Sequence, residues 1–348
     1  MAGFNSENLV DLAKTTLNSL GEPNYTNLMS DLQEYVAFSR LYDKARQEDS
    51  GKGIQWDVAL NPSNNAENVG LYQEDNLNVM DGMTQASVNW RNSRGGYAIS
   101  KQEISMNTGK RQIVDLFKFK RAQGMVDMAN LLEENFWKFP AASDTLTPLG
   151  LPYWVTKAGS ATACGFNAAL PTGYTDVAGL VPASQPRWNP WSGLYVDVSK
   201  DDLVRKMREA FRKCQFKSPV ATPSNNTGYK YTINTNYAVV GRMEELLEAQ
   251  NDSLGNDIAS KDGQVMFRKM PVEYVPYLDA DTTNPVYGLN WGEFKVKNLK
   301  SWWMQETVLD KTPGQHTVIS VFFDCTYQIM TYNRRSHFIF ATATSYPG

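Results

Sequence analysis

The chain has 348 residues, of which 42% are hydrophobic and 20% charged, enough for about two domains and a sizeable core. Its formal charge of −3, with no long block of Lys or Arg, argues against sequence-independent nucleic-acid binding as the main activity. No apolar run approaches the roughly 20 residues that span a bilayer, the start lacks the regions of a secretory signal, and three widely spaced cysteines argue against a disulfide framework or a cysteine metal site. Cys164, Cys214 and Cys325 read instead as small buried apolar side chains in a reducing compartment.

The chain is expected to open on an amphipathic helix, with Leu9, Leu12, Leu17 and Leu20 near helical spacing between a Ser6 cap and Gly21. A second helical pattern runs from Asn27 through Leu28, Leu32, Tyr35, Val36 and Leu41 and ends in the polar stretch Gln47 to Gly53. These first 50 residues carry too few large apolar side chains for a core, which predicts an arm lying on other surfaces. Residues 51–104 read as a large β-hairpin. Ile54, Trp56, Val58 and Leu60 alternate with Gln55, Asp57 and Ala59; a second run follows at Ala86, Val88 and Trp90, and a third at Tyr97 and Ile99. The polar connection Asn61 to Gln85 exceeds the roughly 12–15 residues tolerated in compact domains. A lone two-stranded hairpin is marginal in water, so its face bearing Trp56 and Trp90 is expected to be covered by another copy of the chain. Tyr72 in the loop belongs to the same expected contact.

The longest helix is predicted at Lys110 to Lys138, with an apolar stripe of Val114, Phe117, Met125, Met128, Leu132 and Phe136 and a stop at Pro140. Lys110, Arg111, Lys118, Lys120 and Arg121 crowd its first half, and Asp127, Glu133 and Glu134 its second. The helix dipole favours the reverse order by about 0.3–1 kcal/mol per terminal charge. Either this is a solvated face, or Lys118, Arg121, Glu133 and Glu134 meet complementary charges on neighbouring subunits. Residues 141–198, with Trp154, Trp188 and Trp191, read as loops and short strands. Ser199 and Asp202 form a capping box before a helix whose face is Leu203, Met207, Ala210, Phe211 and Cys214. A strand at Tyr229 to Asn234, a helix at Tyr237 to Gln250 and strands at Val265–Phe267 and Val272–Val275 complete a compact α+β unit. Strands at Phe294–Leu299, His316–Met330 and Ser336–Thr344 follow, the last two joined by the turn Asn333-Arg334-Arg335-Ser336, and are expected to pack under the long helix.

Motifs for chemistry are missing from the sequence. His316 and His337 lie in predicted strands without metal-ligand neighbours and read as surface or ladder residues. There is no phosphate loop, no nucleophile elbow and no His-Glu-x-x-His, so neither an enzyme nor a bound cofactor is expected. Asp201-Asp202 fits a helix's first turn and Glu244-Glu245 an exposed helix face. Asp279 and Asp281 suit a divalent ion or a sugar, and turn chemistry accounts for them as well. Trp188-Asn189-Pro190-Trp191 and Trp302-Trp303 suit stacking platforms, core or interfaces; the arm and hairpin favour interfaces.

An N-terminal helical arm, a long hairpin over Ile54 to Ile104, a long helix over Lys110 to Lys138, a compact α+β unit and return strands: this order resembles the major capsid proteins of tailed bacteriophages, with the Hong Kong 97-type fold. Asp324-Cys325-Thr326-Tyr327-Gln328-Ile329-Met330-Thr331-Tyr332-Asn333-Arg334-Arg335 is similar to that family's closing strands and Asn-Arg-Arg turn. Met270-Pro271-Val272-Glu273-Tyr274-Val275-Pro276-Tyr277-Leu278-Asp279 is similar to its Pro-Val, Val-Pro, Leu-Asp segment. The resemblance implies an α+β fold with an N-terminal arm (1–50), an extended hairpin loop (51–104), a peripheral domain with the spine helix (105–144 and 291–348) and an axial domain (145–290). It also implies self-assembly as pentamers and hexamers into an icosahedral virion shell, built in the host cytoplasm. That shell would enclose double-stranded DNA without sequence-specific binding and without a membrane, and Arg334 and Arg335 are taken as further intersubunit contacts. Scaffold, portal and decoration proteins are implied partners; with about 50 residues before the hairpin, the scaffold is expected to be separate or absent. No crosslink site is identified. Two other readings stay open: an encapsulin-like nanocompartment shell around protein cargo, and a carbohydrate-active or sugar-binding protein using the tryptophans with Asp279 and Asp281.

Overall fold

The computed structural model describes residues 35–42, 45–49, 51–63, 65–71, 79, 82–106, 110–158, 164–215, 230–252, 265–306, 310–311 and 317–346. The opening helix expected at Leu9 to Leu20, Tyr72 and His316 lie outside them. In chain order the elements are α1 (Val36–Leu41), β1 (Arg46–Glu48), β2 (Gly53–Ala59), β3 (Met83–Asn89), β4 (Arg91–Ser100), α2 (Lys101–Met106), α3 (Lys110–Trp137), α4 (Leu151–Trp154), β5 (Gly165–Phe166), β6 (Trp191–Leu194), α5 (Leu203–Cys214), β7 (Tyr231–Thr235), α6 (Tyr237–Asp252), β8 (Met266–Phe267), β9 (Met270–Tyr274), β10 (Val286–Asn290), β11 (Phe294–Leu299), β12 (Gln305–Glu306), β13 (Asp310–Lys311), β14 (Val318–Thr331) and β15 (Phe338–Ala341). The fold is a mixed α+β architecture with two principal sheets and one separate hairpin.

β14 is the axis of the first sheet. One edge pairs antiparallel with β4 from Val318↔Ser100 to Tyr327↔Arg91, and the other takes β13, β12 and β11 in turn. Residues 91–100, grouped from the sequence with the hairpin, therefore belong to this sheet. Alternation reports a half-buried strand but not its partner. α3 lies across β4, ending just before Pro140 as the missing N–H requires. Gly124 permits the close approach: a Cβ there would stand 3.1 Å from the Phe323 ring and 3.4 Å from Tyr97, tighter than packed side chains normally allow. The arm docks on the same body. β1 extends the first sheet by pairing parallel with β11, and Tyr42 donates to the Leu132 carbonyl of α3 at 3.0 Å.

The second sheet has the order β5-β6-β15-β10-β7-β9-β8. β15 was expected beneath the long helix with β14; it instead crosses to this sheet, between β6 and β10. Its residues 338–341 are all buried, and a strand buried on both faces shows no alternation that would reveal its sheet. Ile233, Val272, Val286, Phe338 and Phe340 face α5 and α6, which contribute Leu203, Met207, Ala210, Val239 and Met243. The alternate residues Tyr287, Leu289 and Ile339 face a larger core shared with α3, the first sheet and the hairpin. Trp291-Gly292-Glu293 and Tyr332 to His337 are short connections between the sheets. The capping box before α5 is half formed. Ser199 Oγ accepts from the Asp202 N–H at 3.2 Å, but the Asp202 carboxylate turns to the N–H groups of Val196 and Asp197.

The hairpin differs most from expectation. β2 and β3 pair from Gly53↔Asn89 to Ala59↔Met83, and their apolar face is covered from within the chain. Ile54, Trp56, Leu60, Ala86 and Val88 join Trp154, Val177, Ala178, Leu180 and Trp188 in the larger core. The Trp56 ring lies 6.2 Å from that of Trp154, and Trp56 is only 8% exposed. The turn around Ala178 is the clamp: its N–H donates to Tyr153 Oη at 2.8 Å and its carbonyl accepts from Ser87 at 3.0 Å. A second copy is not needed to cover this face.

Candidate assembly surface

The residues suited to chemistry are engaged internally. Lys157 Nζ donates to Asp281 at 2.6 Å, to Thr283 at 2.8 Å and to the Ser345 carbonyl at 2.6 Å; burial lowers the lysine pKa against the pull of Asp281. Asp279 accepts from the Tyr237 N–H at the start of α6 and from Tyr274. Trp188 and Trp191 are buried in the two cores, which leaves Trp302 exposed and Trp303 partly so. Cys214 and Cys325 are buried and Cys164 partly so, all three free. Among the described residues no cluster of three His, Cys, Asp or Glu is placed to hold a metal, and no helix is long and apolar enough to cross a membrane.

The expected intersubunit contacts are dispersed, and several of them have partners within their own chain. Trp56, Glu133 and Arg334 are buried inside their own subunit, where a neighbour cannot reach them. Arg121 pairs with Glu306 of β12 at 2.6 Å, and Glu134 with Lys138 at 3.5 Å, both within the chain. Trp90 donates through Nε1 to the Gly51 carbonyl at 2.9 Å and packs partly buried against the core. Arg335 lies 4.2 Å over the Phe166 ring. Of the group, Lys118 is exposed without an ion pair among the described residues.

Glu133 holds the arm. Its carboxylate accepts from Ala37 N at 3.0 Å and Phe38 N at 2.7 Å, and from Trp137 Nε1 at 2.8 Å. α1 has no side-chain cap of its own, so a carboxylate from α3 satisfies its first-turn donors. Glu133→Ala strands those donors at about 1–3 kcal/mol each. Amide-exchange protection of residues 36–42 should fall by about tenfold or more while α3 keeps its own; unchanged protection would contradict the arm's dependence on Glu133.

The links between the sheets carry three buried ionisable groups. Arg334 Nε donates to the Trp154 carbonyl at 2.7 Å, and its guanidinium lies 5.8 Å over Trp188. Burial lowers its pKa to about 9, so it stays cationic at neutral pH. His337, expected at the surface or in a ladder, is fully buried. Its Nδ1 accepts from Asn290 N at 3.1 Å and its Nε2 meets Thr331 Oγ1 at 3.1 Å. Burial first, and the Arg334 charge second, push its pKa from 6.5 down to about 3. The unfolded chain takes up this proton near pH 6.5 and the folded chain only near 3. The stability His337 contributes is therefore present above about pH 6.5 and lost as pH falls toward 3. Glu293, raised by burial to about 7, has the opposite slope, losing its contribution as pH rises from about 4.5 to 7. Asn at 337 keeps an acceptor for Asn290 without the proton. His337→Asn should therefore flatten the acid loss of the urea midpoint relative to wild type; parallel curves would refute the assignment.

Four of the fourteen exposed large apolar side chains among the described residues lie on or beside the loop joining β2 to β3. Leu71 is 92% and Val79 99% exposed, and Val69 and Met83 are exposed as well. Exposed apolar side chains this close along the chain mark a candidate contact surface. The long connection pointed to this loop; the residues singled out beside it, Trp56 and Trp90, belong to its packed base.

No protein-family model and no curated protein matches the sequence. The fold does match solved structures. The chain is similar to one in the cyanophage A-1(L) capsid asymmetric unit, with a TM-score of 0.61 and 14% identity over 94% of this chain and 99% of that one. It is similar to a chain of the native GTA particle capsid, computed with C5 symmetry (TM-score 0.54, 10% identity, 93% and 96% covered). A chain of Mycobacterium phage Bobi is similar as well (TM-score 0.54, 10% identity, 96% and 100% covered). The protein therefore has the fold of capsid-shell chains. More particularly, it shares that fold nearly end to end with the cyanophage capsid chain.

Proposed function

We propose that the protein is the major capsid subunit of a tailed bacteriophage, assembling as pentamers and hexamers into the icosahedral head shell of the virion around double-stranded DNA. The observation that carries this reading is the coverage, 94% of this chain and 99% of the cyanophage chain. Coverage of that extent is more than one common motif would give. In this reading the β2–β3 loop reaches an adjacent subunit, α3 and the first sheet form the peripheral domain, and the second sheet with α5 and α6 forms the axial domain. The C5 symmetry used for the GTA capsid supports a pentameric element. Closed shells are built from heterologous contacts that close on rotation, and obligate interfaces bury about 2,000–5,000 Å², which a projecting apolar loop helps to supply. A net charge of −3 limits adhesion of the enclosed genome. Scaffold, portal and decoration proteins complete the set of partners.

Sedimentation velocity of the purified full chain tests the reading. Closed particles or their capsomers are expected above a threshold concentration, and a monomer at every concentration would overturn it.

A further inference from the structure

The outward faces of α5 and α6 carry opposite charge. α5 turns Leu203, Met207, Ala210 and Cys214 to the sheet. Opposite them, at i, i+3 and i+7, stand Arg205, Arg208 and Arg212, with Lys213 beside them. The helix holds five basic residues and one acidic residue, Glu209. Lys206 is neutralised by Asp202, but among the described residues Arg205, Arg208, Arg212 and Lys213 have no ion-pair partner. Like charges at this spacing repel by about 0.2–0.5 kcal/mol per pair, so the stripe is a standing cost to the isolated subunit. α6 has the reverse balance, four acidic residues and one basic. Val239 and Met243 are its buried side, and Glu244 and Glu245 are exposed. Glu245 pairs with Arg242, but those side chains are 63% and 66% exposed, a setting in which a pair contributes about 0–1 kcal/mol and is readily exchanged.

Topology places these two helices on opposite flanks of one face of the sheet. β6 and β7 run parallel, as do β7 and β9, so α5 and α6 are successive right-handed crossovers on one face of the sheet. Both share the cluster of Ile233, Val272, Val286 and Phe338. α5 lies over β15 and α6 over β9, three strand positions or about 14 Å apart. α5 is thus nearer the β5 edge and α6 nearer the β8 edge. In a head-to-tail ring the basic flank of each copy comes to the acidic flank of the next.

We propose that the Arg205, Arg208 and Arg212 face of α5 docks on the Glu244 and Glu245 face of α6 in the adjacent copy around a symmetry axis. This contact rests on the shell reading above. Nucleic acid is the competing occupant of a basic helix. A layer built to face DNA would be basic on both helices, whereas α6 is acidic, and that favours a second copy.

Charge reversal in the full chain tests it. Arg205→Glu, Arg208→Glu and Arg212→Glu together alter exposed side chains and should leave circular dichroism and the thermal midpoint near wild type. Particle yield at about 0.1 M salt, where exposed charges are felt over about 10 Å, should fall by about tenfold or more. Glu244→Lys with Glu245→Lys should produce the same loss, and the protein carrying all five changes should assemble again. Arg208→Gln with Arg212→Gln, a milder change, should give a partial loss. Wild-type yield from the α5 variant, or no recovery in the combined variant when it is folded, overturns the contact and leaves the shell reading standing. Intact shells that lose only their nucleic acid also overturn it, in favour of the other occupant. A wild-type chain that forms no particles removes the shell reading itself, and the contact with it.

Discussion

Trp56→Ala is expected to destabilise the isolated subunit by about 3–5 kcal/mol, the range for truncating a buried tryptophan. Trp56 packs against Trp154 beneath the turn that Ala178 ties to the hairpin, within a core running to α3 and both sheets. Removing the indole leaves a cavity bounded by these elements, which relaxes only in part. Urea unfolding at a concentration too low for assembly reads the effect directly. The midpoint should drop with an unchanged slope, since the same surface is exposed on unfolding. A contact between copies would behave differently: subunit stability would stay normal and only assembly would suffer.

The opposite outcome is expected at the other end of the hairpin. The Leu60 N–H donates to the Gly82 carbonyl at 3.0 Å, so a two-residue Asn-Gly turn fits between them in place of residues 61–81. Shortening a loop changes its closure entropy only slowly, by about 0.6 kcal/mol per halving of length. The truncated subunit should therefore unfold close to wild type. It loses the exposed Val69, Leu71 and Val79, however, and with them the proposed reach to a neighbour. Shell yield should fall to near zero while subunits remain soluble. Normal shells from this variant would remove the loop from the assembly mechanism. Together the two variants separate a base that stabilises the subunit from a tip that joins subunits.

These two halves of the hairpin also show what the sequence could and could not disclose. Elements with a hard stop or a dense β-branched and aromatic run were legible: α3 before Pro140, β11 over Phe294–Leu299 and β14 nearly to its ends. Partnership was not. The cover for Trp56 comes from the irregular segment around Val177 to Trp188, which has no periodicity to announce a packing face. Arg121 and Glu306 are 185 positions apart, so charge order along α3 alone suggested a partner outside the chain. Arg334 and Arg335 look equivalent in sequence, yet Arg334 is buried beneath Trp188 and Arg335 lies over Phe166. The opposed charges of α5 and α6 can be counted in the sequence. Their placement on opposite flanks needed the strand order, which depends on β15 leaving β14 for the other sheet.

Cryo-electron microscopy of the purified, concentrated full chain tests the central claim most directly. The account predicts closed shells with five-fold vertices, the second sheet with α5 and α6 around the axes, and the β2–β3 loop lying on an adjacent copy. A field of single subunits at high concentration, or particles in which that loop touches only its own chain, would contradict it.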